Sequence, residues 1–119
     1  MATTVVTFVD DIFFLAKIRE TAKALGVTVV SPHPREGTVP PSGTKAIFLD
    51  LDAHTFAPLE CILLLKSDPE SSHIPIVAFA SHVHTQLIHD ARVSGCDLVL
   101  ARSAFTQQLP DLLRRFDVA

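Results

Sequence analysis

Residues 74–101 read IPIVAFASHVHTQLIHDARVSGCDLVLA, and this stretch decides the fold. Two apolar runs, Ile74 to Phe79 and Leu98 to Ala101, flank a segment from Thr85 to Ser94 with helical spacing. Gly95 closes that segment as a left-handed cap residue would. Apolar runs without polar alternation are strands buried on both faces, and strands that alternate with helices belong to a parallel sheet. Pro75 stands at the opening of its strand, where a missing N–H does least harm.

The same alternation extends to both sides. Thr4 to Val9 is a strand that ends at Asp10 and Asp11. Ile12 to Leu25 follows as a helix, with Leu15, Ile18, Ala22 and Leu25 on one stripe and Gly26 as its stop. Val27 to Val30 is the second strand. Ala46 to Leu49 is the third, ending at Asp50, and a helix follows from about Ala57 to Ser67 with Pro58 in its first turn. A last helix covers about Thr106 to Phe116. The exception is residues 31–44, SPHPREGTVPPSGT, where Pro32, Pro34, Pro40, Pro41, Gly37 and Gly43 predict a loop in place of the second helix.

The chain has 119 residues, the size of one domain spanning 1–119. Hydrophobic residues at 48% against charged residues at 19% exclude a disordered chain. A net charge of −3 with scattered Lys and Arg argues against nucleic acid or an anionic membrane as partner. No apolar run approaches the roughly 20 residues of a membrane helix. No signal peptide is visible at Met1 to Thr4, so a cytoplasmic location is expected. Cys61 and Cys96 are too few and too far apart for a CxxC site and are expected to be buried thiols.

In a doubly wound sheet the ligand site lies beyond the carboxyl ends of the strands. The residues there are Asp10 and Asp11, Asp50 and Asp52, Ala80, Ser81 and His82, and Arg102 and Ser103. Carboxylates converging from neighbouring strands repel one another unless a cation is present. An oxygen-only donor set at the mouth of a cleft suits Mg²⁺. The competing reading is that one Asp of a pair caps the helix that follows.

With these residues in place, the chain resembles the receiver domain of two-component response regulators, the CheY-like superfamily. The resemblance covers essentially the whole length. It rests on the strand ending in Asp10 and Asp11, the strand ending in Asp50, Ile74 and Pro75 at the fourth strand, Gly95-Cys96-Asp97 before the fifth, and the basic Arg102 after it. It implies a flavodoxin-like doubly wound fold with a five-stranded parallel sheet in the order 2-1-3-4-5. Asp50 then matches the aspartate that accepts a phosphoryl group from a histidine kinase. Asp10 and Asp11, with Asp50 and the main-chain carbonyl of Asp52, match the Mg²⁺ ligands. The implied function is phosphorelay signalling through protein–protein contact. The implied activity is at most self-phosphorylation and dephosphorylation at Asp50.

Three positions depart from the family. Ala80 replaces the switch Thr or Ser, Arg102 replaces the Lys, and Ser103 replaces the Pro that follows it. Ser81 carries the nearest substitute hydroxyl, and Asp52 adds a fourth carboxylate for which His82 is the expected partner. These departures keep open a second function, a pseudo-receiver that binds partners without phosphorylation. FLDLDAHT also resembles the DxDxT motif of haloacid-dehalogenase-like phosphatases, with Asp50 as nucleophile and Asp52 as acid/base, a remote alternative. His82, His84 and His89 lack the spacing of a metal set and are read as solvated. Finally, Leu63 and Leu64 make the helix around them apolar almost all round. They either pack under the Pro-rich segment or form a patch for a partner or homodimer, and Phe13 and Phe14 extend an apolar patch at the site mouth.

Overall fold

The computed structural model describes residues 3–32 and 40–116. The elements run β1 (Thr3–Phe8), α1 (Ile12–Ala24), β2 (Val27–Val30), β3 (Thr44–Asp50), α2 (Pro58–Ser67), β4 (Ile76–Ala80), α3 (Thr85–Ser94), β5 (Leu98–Ala101) and α4 (Arg102–Phe116). All strand pairs are parallel, and the order is β2-β1-β3-β4-β5, the flavodoxin-like arrangement expected.

The alternation of side chains along each strand divides the core in two. On β3, Ala46 and Phe48 face one layer with Val5, Ile18, Phe79, Phe105, Leu109 and Leu113. Ile47 and Leu49 face the other, with Val6, Phe8, Cys61, Ile62, Leu65, Ile76 and Ala91. Helices α1 and α4 thus cover one face, and α2 and α3 the other. This is why the strands read as unbroken apolar runs. Cys61 and Cys96 are free and buried, as expected, and burial pushes the Cys61 thiol up to about 11, which keeps it inert.

The last helix begins at Arg102, directly after β5, four residues ahead of the expected start. Ser103, in place of a proline, keeps its N–H and imposes no restriction on the residue before it, so the chain turns into the helix at once. The carbonyl of Arg102 accepts from Thr106 Oγ1 at 3.0 Å. The fourth strand starts two residues later than expected and ends one residue later, at Ala80; Pro75 lacks a donor and pairs only through its carbonyl, which accepts from Ile47 N at 2.9 Å. In the Pro-rich segment, residues 31, 32 and 40–43 are not helical. Pro34 and Gly37 lie outside the described residues. Leu63 and Leu64 are half exposed, at 53% and 52%. No helix among the described residues is long and apolar enough to cross a membrane.

At the end of the sheet opposite Asp50, Lys66 is threaded beneath Gly95. Its Nζ donates to the carbonyl of Ile74 at 2.8 Å and that of Ser72 at 3.2 Å, and pairs with Asp97 at 3.1 Å. Asp97 in turn accepts from Ile76 N at 2.8 Å, so α2, β4 and the α3–β5 turn close on one ammonium group. Gly95 sits at φ +114, and a Cβ there would stand 2.6 Å from Lys66 Cγ. Gly95→Ala is therefore expected to lower the unfolding free energy by about 1–3 kcal/mol. Urea denaturation checks this, and an unchanged midpoint would show that the lysine stem yields freely.

Candidate functional site

Asp10, Asp11, Asp50, Asp52, Ser81 and Arg102 line one open cleft at the carboxyl edge of the sheet, whereas Ala80, His82 and Ser103, also expected there, are not among its walls. Its volume is about 810 Å³, and its walls are Asp10, Asp11, Asp50 to His54, Ser81 and Arg102. Ala80 ends β4 and is fully buried, while Ser81 lies just past the strand and reaches the cleft.

The local backbone fixes each carboxylate differently. Asp50 is the last residue of β3 and is only 2% exposed. Its Oδ1 accepts from Asp52 N at 2.9 Å. Burial raises its pKa against the opposing effects of that N–H and of Arg102, and the negative charges of Asp52 and Asp10 add to the rise. Asp11 is the N-cap of α1, its Oδ1 accepting from Phe13 N at 3.0 Å and Phe14 N at 3.1 Å. The Phe14 N–H foremost, together with Arg102 and Phe13, holds Asp11 below the usual carboxylate range.

Asp10 faces the other way, into the loop after β3. Its Oδ2 accepts from His54 N at 2.5 Å and Thr55 N at 2.9 Å, and its Oδ1 accepts from Thr55 Oγ1. Burial alone would raise its pKa, but the combined Thr55 and His54 hydrogen bonds outweigh it and the pKa is lowered. Asp52 Oδ2 accepts from Ser81 N at 2.7 Å and Ser81 Oγ at 2.8 Å, so Ser81 takes the place expected for His82.

Arg102 stands at the centre of this arrangement. Its NH1 donates to Asp11 Oδ2 at 3.1 Å, and its NH2 lies 3.5 Å from Asp50 Oδ2 and 3.7 Å from Asp52 Oδ2. The guanidinium is stacked over the Phe14 ring, 4.5 Å from its centroid, with Phe79 5.6 Å away. Phe14 thus turns inward, in contact with Phe79 and Phe105, while Phe13 is left 83% exposed at the mouth. The packing has a cost, because Arg102 Nε is enclosed without a hydrogen-bond partner.

Sequence reasoning missed Thr55 and His54 as the holders of Asp10, and Phe14 and Phe79 as the seat of Arg102. A Mg²⁺ ion needs carboxylate oxygens it can approach to about 2.1 Å in near-octahedral array. Here Asp10 is turned onto the Thr55 loop, Asp11 is shared between a helix cap and Arg102, and a guanidinium lies between Asp11, Asp50 and Asp52. Among the described residues, no group of three or more His, Cys, Asp and Glu side chains is arranged to hold a metal ion. The donor set in this arrangement does not fit the ion. His84 is occupied as the N-cap of α3, its Nδ1 accepting from Leu87 N at 3.3 Å.

No family model and no curated protein sequence matches the chain. Solved structures do match. The chemotaxis response regulator CheY4 of Vibrio cholerae superposes with a TM-score of 0.83 at 15% identity, over 98% of this chain and 99% of that one. The phosphorylated cyanobacterial phytochrome response regulator RcpA gives 0.79 at 19% identity, over 97% and 91%. The receiver domain of a Pseudomonas aeruginosa sensor histidine kinase, solved with a magnesium ion in its active-site cleft, gives 0.81 at 14% identity over the full length of both. The chain has the fold of response-regulator receiver domains.

Proposed function

We propose that the chain is a receiver-type signalling module that works through protein–protein contact, with Asp50 as the carboxylate that accepts a phosphoryl group from a histidine kinase. One observation carries this reading. Asp50 closes the central strand at the floor of an open cleft, its Oδ1 held by a backbone N–H and its Oδ2 facing a guanidinium. In that geometry Oδ2 is the attacking atom. The P–N bond of a phosphohistidine breaks as the P–O bond forms, and the imidazole leaves. Arg102 offsets the charge on the transferred group, and the open cleft gives a partner's histidine access to it.

Incubation with phosphoramidate in the presence of Mg²⁺, followed by intact-mass measurement, tests the acceptor. A single phosphoryl adduct on the parent chain and none on Asp50→Asn is the expected result. No adduct on the parent selects the pseudo-receiver reading instead. That second reading is favoured by Ala80, which is buried and carries no hydroxyl to turn toward a phosphoryl oxygen. The half-exposed Leu63 and Leu64 are the apolar surface this reading offers to a partner or a second copy. Changing both to Ser is expected to shift any dimer seen in sedimentation velocity toward monomer, with the melting temperature within a few degrees of the parent. Lost stability with an unchanged oligomeric state would discard that surface.

The raised pKa of Asp50 has a stability counterpart. The unfolded chain gives up this proton near pH 3.9, ahead of the native state. Native stability from this group is therefore unaffected below that pH and falls as pH rises through the higher folded value. That loss is the cost of burying the carboxylate. Asp50→Asn removes it while keeping an oxygen for Asp52 N and leaving Arg102 with Asp11 and Asp52. The variant is expected to melt at a higher temperature than the parent at pH 7. The gain should shrink as the pH is lowered toward about 4. A lower melting temperature at pH 7 would mean that the Arg102–Asp50 pairing outweighs burial.

A further inference from the structure

We propose that the Arg102 guanidinium is the resident cation of the acidic cleft and competes directly with a divalent metal for its carboxylates. The inference goes beyond the functional reading above, since it rests on the ion pairs and not on whether Asp50 accepts a phosphoryl group. Three carboxylates reach the guanidinium within 3.1–3.7 Å. The fourth, Asp10, is withdrawn from the cluster by three hydrogen bonds from His54 and Thr55. To gain two direct carboxylate ligands a metal would have to displace or share the guanidinium, or draw Asp10 away from His54 and Thr55.

The guanidinium is not free to step aside without loss. Its Cζ lies over the Phe14 ring at 4.5 Å and over the Phe79 ring at 5.6 Å, and Arg102 begins α4 with no linker after β5. An ammonium lacks the delocalised plane that favours such ring contacts, so a lysine here would leave them more readily. A metal that entered beside it would meet a like charge at close range in a partly desolvated cleft. The chemistry implied is a cleft whose charge balance is built into the chain and does not depend on free Mg²⁺.

Removing the guanidinium should convert the cleft into a metal site. The experiment is an amide NMR titration of the full chain with Mn²⁺, reading paramagnetic broadening at residues 10, 11 and 50–54. It is repeated on Arg102→Gln and on Arg102→Lys, with circular dichroism to confirm that each variant folds. Arg102→Gln is expected to bind Mn²⁺ at least about tenfold more tightly than the parent, with broadening confined to those amides, and Arg102→Lys to fall between. Equal affinity in parent and Arg102→Gln overturns the proposal. Should Arg102→Gln fail to fold, the parent and Arg102→Lys decide the question, and equal affinity between those two overturns it as well. Neither result depends on phosphoryl transfer, so failure here leaves the acceptor test standing, and failure of the acceptor test leaves this one standing.

Discussion

A stretch of strand buried on both faces can hold no charge and can carry polarity only beyond its two ends. In the central strand β3 charge is confined to the exposed Lys45 near the start and to Asp50, the last residue. Ala46 to Leu49 are fully buried, and the first ionisable group after them is Asp50, itself 2% exposed. The position of the cleft, the convergence of carboxylates from β1 and β3, and the need for a cation beside them all follow. A carboxylate placed there pays a desolvation penalty that only neighbouring N–H groups and positive charge offset. The molecule meets it with the Asp52 backbone amide on one oxygen and Arg102 near the other.

The cation is held by apolar chemistry. Phe14, Phe79 and Phe105 form a contiguous ring cluster, Phe79 and Phe105 stacked with centroids 4.6 Å apart. This cluster belongs to the same layer of the core as α1 and α4. The residues that stabilise the fold on that side are therefore the ones that orient the guanidinium. Packing and electrostatics in the cleft are not separable, and a substitution at Phe14 acts on both.

Most of the fold was legible because its determinants are local. The run IPIVAF, the Gly95 stop and the run LVLA announce strand, helix end and strand without reference to distant residues, and the strand ends then point to Asp10, Asp11 and Asp50. What was not legible depends on side-chain direction. That one Asp of the adjacent, chemically alike pair Asp10 and Asp11 could cap α1 was legible, and Asp11 does so, but nothing in the sequence says which of the two it is or that the other reaches across 44 and 45 positions to His54 and Thr55. No periodicity encodes that divergence. The start of α4 was misplaced for a related reason. A helix that follows a strand with no intervening residue leaves no turn signal to read.

That junction has a mechanical consequence. Because β5 ends at Ala101 and α4 starts at Arg102, the charged group is mounted on a hinge with no slack. The residue that carries the cleft's cation is thereby also the first residue of a helix, so the same Cα fixes both where α4 begins and from where the guanidinium reaches the carboxylates.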